Sequence, residues 1–246
     1  DDPEGGFMEY KLFKDKLTGL FNEDKLQKSP REWGFYNEME KDVKRVGYAT
    51  NLTPEIIRKA GREKIDFLLT HHDSWEFVFG LKESCNRILI EEGITHAFFH
   101  APLDDAGFGT SASLAKALGL TGCIKVMPYA DLYYGGVIGN REAEDFNVFR
   151  EKLSHILKED VRGYQNNDRP VKRVAVAAGG GNMTTDMQIA VKQGCDTYVT
   201  GEYVLYSQQY AEFSGMNLLV GSHTNTEILG VEAMAELLGS NTDVRL

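Results

Sequence analysis

Six histidines are spread over 246 residues, and two of them, His71 and His72, stand side by side at the end of the apolar run "IDFLLT". Other donor-type residues follow the same pattern. The run "THAFF" ends at His100, and "APLD" then brings Asp104. The run "TYVTG" ends at Glu202, and "NLLVGS" ends at His223, followed by "TNTE" with Glu227. Each is an imidazole or a carboxylate at or just beyond the end of a strand-like run. In open α/β sheets ligands bind at the carboxyl ends of the strands, so distant segments can converge there. Three to four imidazoles with two carboxylates exceed what one tetrahedral zinc takes. They suit two neighbouring divalent ions bridged by a carboxylate.

The spacings sharpen this reading. His223 and Glu227 are four positions apart, so a helix beginning near 224 would put both on one face. His100 and Asp104 have the same spacing, but Pro102 argues against a helix interior there, and the two can share a site only if "APLD" curls. Neighbouring histidines on a strand point to opposite faces. At a strand end, where the chain turns, they can instead reach two different ions. Each residue also has an ordinary reading: a capping or exposed pair, a loop histidine, a loop-opening aspartate, a first-turn glutamate favoured by the helix dipole. His96, inside a strand, reads as a packed core residue, and His155, on a charged helix, as a surface one.

The stretch "AAGGGNMTTDM" (177–187) joins a strand to a helix through three consecutive glycines. Glycine permits positive φ and close backbone approach, and a helix N-terminus favours anions. The stretch lacks the P-loop lysine and the GxGxxG spacing. It is either a tight turn for packing or a cradle for a phosphate or carboxylate. "VGYATNLTPE" brings Thr50, Asn51 and Thr53 toward the same edge.

The elements that must hold these residues alternate. Helical spacing over 9–27 is followed by an irregular stretch at 28–42. Strands are then expected at 43–50, 64–70, 95–100, 171–179, 195–201 and 216–222. Helices are expected from Thr53-Pro54, at about 81–92, 109–118, 142–158, 183–193, 203–213 and 225–238. Residues 121–140 read as two extended segments with a turn, and 159–170 as a polar linker. This alternation predicts an α/β fold of two interlocked lobes with mixed, largely parallel sheets and the metal site at the strand C-terminal ends. The chain reads as a single unit over 1–246, with approximate lobes 1–120 plus 171–246 and with 121–170 intervening.

The formal net charge is -10, which makes nucleic acid a poor partner. The two "VKR" segments at 43–45 and 171–173 are too short for a basic patch. No apolar run approaches the roughly 18 residues needed to span a bilayer. The N-terminus is acidic and lacks a signal-peptide pattern; Met8 reads as a possible native start preceded by extra residues. Cys85, Cys123 and Cys195 are distant, odd in number and form no CxxC pair. They read as small buried residues in a reducing compartment, so a cytoplasmic location is expected.

From Trp33 to the C-terminus the motifs "KRVGYATNLTPEIIRKA…KIDFLLTHHD", "HAPLD", "AVAAGGGNMTTDMQIAVKQGCDTYVTGE" and "GSHTNTEILGVEAMAELL" resemble, in that order, those of the Nif-three-like family. The family is named after Ngg-interacting factor three, and its bacterial members are often called GTP cyclohydrolase 1 type 2 homologues. The resemblance implies a two-lobed α/β fold without the inserted domain of longer members, a dinuclear metal site and ring-like homo-oligomers, typically hexamers. Carried over by motif, the ligands are His71, His72, Asp104, His223 and Glu227, with His100 at the family's nearby histidine position. Zinc, iron and manganese are all associated with the family. This chain departs from its pattern at Asp73, where proline is usual, and at Ala101-Pro102, where Thr-Asn is usual. It departs again at Glu202, where aspartate is usual, and at Tyr206, where a histidine follows.

The resulting expectation is a dinuclear metal-dependent hydrolase of a small nucleotide-like or phosphorylated substrate. One ion would sit at His71 and Asp104 and the other at His72 and His223, with Glu227 bridging and Glu202 as general acid or base. The rival expectation is a non-catalytic metal carrier, sensor or scaffold, which the loss of the family histidine at Tyr206 favours.

Overall fold

Thr53 accepts a hydrogen bond from the amide of Ile56 at 3.2 Å, with Pro54 at the first helical position. This side-chain cap satisfies an amide that the helix itself cannot. Local rules of this kind account for most elements of the computed structural model, which describes residues 8–239 and 244–246. Whether residues 1–7 are native lies outside the described residues.

The chain divides into two compact units, residues 1–103 with 231–246, and residues 104–230. The first carries α1 (Tyr10–Thr18), α2 (Glu23–Lys28), β1 (Trp33–Tyr36), β2 (Val46–Ala49), α3 (Pro54–Arg62), β3 (Phe67–Thr70), α4 (Leu81–Glu92) and β4 (Thr95–Phe99), with β11 (Val244–Arg245). Its sheet has the order β1-β4-β3-β2-β11. Strands β4, β3, β2 and β11 run parallel, and β1 closes one edge antiparallel to β4. The central strands β2, β3 and β4 are buried along their whole length, as expected where both faces of a parallel sheet are covered. Ile57, Ala60, Leu68, Cys85, Ile88 and Leu89 form part of the core under α3 and α4.

A short helix, α5 (Ala101–Asp105), leads into the second unit. That unit carries α6 (Thr110–Ala117), β5 (Thr121–Tyr129), β6 (Tyr133–Glu144), α7 (Phe146–Leu157), β7 (Arg162–Tyr164), β8 (Val171–Ala177), α8 (Thr184–Lys192), β9 (Thr197–Thr200), α9 (Leu205–Ser214) and β10 (Asn217–Val220). It also holds the start of α10 (His223–Leu238). The sheet order is β5-β6-β8-β9-β10-β7. Strands β8, β9 and β10 run parallel in the centre, and β5, β6 and β7 are antiparallel to their neighbours. The architecture is mixed α/β in both units, as the alternation of elements predicts.

Three expectations change. The stretch at 28–42 contains β1, whose Trp33 stacks on Phe99 with ring centroids 5.9 Å apart; flanking charges hide this four-residue edge strand. The polar stretch at 159–170 holds β7 and is stitched down. Asn217 Oδ1 accepts from the amides of Asn166 and Asn167, and Asn167 Nδ2 donates to Asp196 and Gly215 carbonyls. The units themselves divide at Asp104 and Val231, and β5 and β6 continue the sheet of β8. Finally, Cys123 is exposed, while Cys85 and Cys195 are buried; all three are free thiols. Among the described residues no helix is long and apolar enough to cross a membrane.

Candidate metal centre

In the first unit β3 and β4 are parallel neighbours, so His71 and His100 follow adjacent strand ends. His71 and His72 do not alternate across the sheet. The amides of both donate to one acceptor, the carbonyl of Thr50, at 3.2 and 2.9 Å. This shared bond turns the chain, and the two imidazoles lie with centroids 4.4 Å apart. His100 lies 5.0 and 5.3 Å from them. Each ring can offer one nitrogen such that all three lie within 4.8 Å of one another.

The protons on these rings follow from their neighbours. His71 Nδ1 bonds the Phe99 carbonyl at 3.0 Å, His72 Nδ1 the Asn51 side-chain oxygen at 2.8 Å, and His100 Nδ1 a Glu32 carboxylate oxygen at 2.8 Å. All three partners are acceptors, so each Nδ1 is the donor and each neutral ring keeps its lone pair on Nε2. Metal-ligating histidines are fixed in this way by acceptors behind them. The bond from His100 is also the main reason the Glu32 carboxyl is held below the usual carboxylate range.

The second unit places an acidic counterpart at the ends of β8, β9 and β10. His223 opens α10 and Glu227 follows one turn on, with Nε2 3.1 Å from Oε1. Glu202, just past β9, accepts from His223 Nδ1 at 2.6 Å and from Asn182 at 3.1 Å. Asp104 accepts from the Thr110 hydroxyl at 2.6 Å, and it offers an oxygen within 4.8 Å of one from Glu227. Burial works against a proton on His223, but bonding and charge from Glu227 and Glu202 outweigh it and raise the imidazole to about 9. The set therefore favours positive charge at its centre. These donors, like the three imidazoles of the first unit, have the chemistry of divalent-metal ligands.

The glycine run has its explanation here. At Gly179 φ is +66°, and a Cβ would stand 1.9 Å from Glu227 Oε1 and 2.9 Å from His223 Nε2. A Cβ on Gly201 would meet Thr226 Oγ1 at 2.4 Å. The Thr226 hydroxyl receives the Gly179 amide at 2.9 Å. The glycines thus let two strand ends press against the first turn of α10, and close packing is the reading the geometry favours over a phosphate cradle.

All the expected donors lie where the sequence put them, beyond strand ends. "APLD" curls into α5, with Pro102 in its first turn, where its missing amide costs nothing. His96 is fully buried and His155 exposed. Of the residues expected near the edge, Asn51 and the Thr50 carbonyl orient the histidines, while Thr53 only caps α3. Sequence reasoning missed Glu32, Asn182 and Thr226. Glu32 stood in the stretch read as irregular, and its position just before the Trp33–Tyr36 aromatic cluster was the available signal.

Comparison with known proteins identifies the family and the fold. The model of the family described as Duf34/NIF3 (NGG1p interacting factor 3) matches residues 9–246. A protein of Methanocaldococcus jannaschii named GTP cyclohydrolase 1 type 2 homolog is 27% identical over 215 residues, covering 85% of this chain and 86% of the relative. One of the same name from Neisseria meningitidis serogroup B is 30% identical over 183 residues, covering 72% of each. Among solved structures, reduced HcgD from Methanocaldococcus jannaschii superposes with a TM-score of 0.82 at 24% identity, over 99% of both chains. A Bacillus cereus protein related to NIF3 gives 0.81 at 16% identity, over 98% of this chain and 96% of that one. The family model spans nearly the whole chain, and the chain belongs to the Duf34/NIF3 (NGG1p interacting factor 3) family.

Proposed function

We propose that this protein binds two divalent metal ions and acts as a metal-dependent hydrolase of a small nucleotide-like or phosphorylated molecule, in the manner its relatives' name suggests. The observation that carries the reading is the uniform tautomer of His71, His72 and His100. Each Nδ1 faces a fixed acceptor, which turns Nε2 into the donor each neutral ring has for a metal, and the three rings can offer nitrogens within 4.8 Å of one another. Four of the six ligands proposed here are imidazoles, His71, His72, His100 and His223, and the other two are the carboxylates Asp104 and Glu227. The pairing of His71 with Asp104 and of His72 with His223, with Glu227 shared, is part of the proposal.

Bound ions of this kind supply Lewis-acid polarisation of water and substrate. The chain's own residues supply orientation and proton handling. Glu202 fixes the His223 ring through Nδ1, and its side chain is 44% exposed, so it can also exchange a proton with a bound molecule. It borders an open cleft of about 380 Å³, also lined by Glu159, Arg162, Tyr203 and Ser222, and this cleft is the place proposed for the substrate. A cytoplasmic homo-oligomer, a hexamer, that binds neither nucleic acid nor membrane completes the proposal.

Elemental analysis of the purified chain tests the metal reading: about two equivalents of transition metal per chain are expected, and none after reconstitution would end it. A turnover screen over nucleotides and phosphoesters with reconstituted protein tests the catalytic part, with activity that vanishes in His72→Ala as the expected result. A second reading, a non-catalytic carrier, sensor or scaffold, is favoured by Tyr206. It stands 67% exposed on α9, in a cleft with Thr184, Gln188 and Phe213. Tight metal binding without turnover across the panel would select it.

A further inference from the structure

Thr70, the last residue of β3, is fully buried and stands directly before the paired histidines. Its hydroxyl donates to the carbonyl of His72 at 2.6 Å. The same oxygen lies 2.7 Å from Nε2 of His96. A carbonyl only accepts, so the hydroxyl proton is committed to His72 and the Thr70 oxygen must accept from His96. His96 therefore carries a proton on Nε2. Its other nitrogen, Nδ1, is buried without a protein hydrogen-bond partner. Native structures rarely leave a buried polar atom so placed, and each case asks for a reason.

The reason lies one bond away. His72 is held at three points: its amide by the Thr50 carbonyl at 2.9 Å, its ring Nδ1 by Asn51 at 2.8 Å, and its carbonyl by Thr70. Remove the last and the peptide after His72 can rotate, which changes the aim of the ring although its ring bond persists. His96 fixes the hydroxyl rotor that makes this third bond, and it is itself clamped by stacking on Tyr36 at 5.8 Å. An apolar residue at 96 would fill the space without orienting the hydroxyl.

We infer that His96 and Thr70 form a buried relay that positions His72 for metal, so that metal affinity depends on a hydrogen bond in which no ligand ring takes part. The inference rests on the metal reading above, and it makes Thr70 and His96 positioning residues rather than ligands.

The test uses the full chain, stripped with chelator and titrated with Co(II), read by competition with a chromophoric chelator and by the Co(II) visible spectrum. Thr70→Val keeps shape and removes the hydroxyl. Thr70→Ser restores it. His96→Phe removes the donor to Thr70, and His96→Gln supplies one. Thr70→Val and His96→Phe are expected to lose about 10–100-fold in Co(II) affinity and to shift the visible bands, while Thr70→Ser and His96→Gln stay within about threefold of the parent. Near-ultraviolet circular dichroism establishes that each metal-free variant is folded. If Thr70→Val does not fold, His96→Phe against His96→Gln carries the same comparison. A folded Thr70→Val with parental affinity and spectrum, or a Thr70→Ser as weak as the valine variant, overturns the relay and leaves the metal reading standing. A parent chain that takes up no Co(II) removes both.

Discussion

Nε2 of His223 stands 3.1 Å from Oε1 of Glu227, while Nδ1 of the same ring stands 2.6 Å from Oε1 of Glu202. One imidazole is thus gripped by two carboxylates on opposite nitrogens. The inner one is nearly inaccessible and the outer one is 44% exposed. The inner contact joins residues one helical turn apart, and the outer one reaches back from α10 to the end of β9.

Because Glu202 orients the ring and is not itself one of the proposed ligands, its replacement should weaken metal binding without abolishing it. Glu202→Leu is expected to lower affinity for Zn(II) by about 10–100-fold, and Glu202→Gln, which keeps an acceptor oxygen, by less. Chelator competition measures both, and equal affinities in all three proteins would refute the orienting role.

Gly179 and Gly180 make a matched pair. A Cβ at Gly179 collides with Glu227 at 1.9 Å and must adopt a φ of +66°, whereas a Cβ at Gly180 meets nothing nearer than 3.8 Å. Gly179→Ala should cost about 1–3 kcal/mol and disturb metal uptake. Gly180→Ala should stay within about 0.5 kcal/mol of the parent. Urea unfolding of the two variants side by side decides it.

His96 predicts a specific acid sensitivity. Burial pushes its imidazole down from 6.5 to about 4, so on acidification the unfolded chain takes up this proton first. The contribution is whole above pH 6.5 and is lost as the pH falls toward 4. Linkage sets its size at roughly 3 kcal/mol. Unfolding free energies of chelator-treated parent and His96→Gln, compared at pH 7 and pH 4.5, isolate it, since the carboxylates and the other histidines are the same in both. Parallel losses in the two proteins would remove His96 as the cause.

Asp73, directly after the histidine pair, has partners of its own. Its Oδ1 accepts from the Ser74 amide at 2.7 Å, and its Oδ2 from Tyr36 at 3.0 Å with Lys82 3.3 Å away. Asp73→Ala should destabilise the protein by about 1–2 kcal/mol through the loss of these bonds. Asp73→Asn should recover part of that, and thermal melts distinguish the three.

Much of this was legible in the sequence, for reasons that can be named. The donors at 71, 72, 100, 104, 223 and 227 lie beyond parallel strands, whose unbroken apolar runs stand out against polar surroundings. The glycines at 179–181 showed that something approached closely, but not that it was the first turn of α10. Strands β1 and β7 were illegible because each is an antiparallel edge of three or four residues, too short for alternation to register. Glu32 and the His96–Thr70 bond were hidden for a different reason. They act across strands, and spacing along one strand says nothing of which residue its neighbour places opposite.

The turn after β3 is made by a main-chain oxygen, that of Thr50, which takes both histidine amides. No exchange of side chain at that position can delete a peptide carbonyl. The crossing of the two rings toward a common side is therefore inherited with the course of the backbone itself. Evolution could rewrite the letter at position 50 many times over and still receive the imidazoles as a pair.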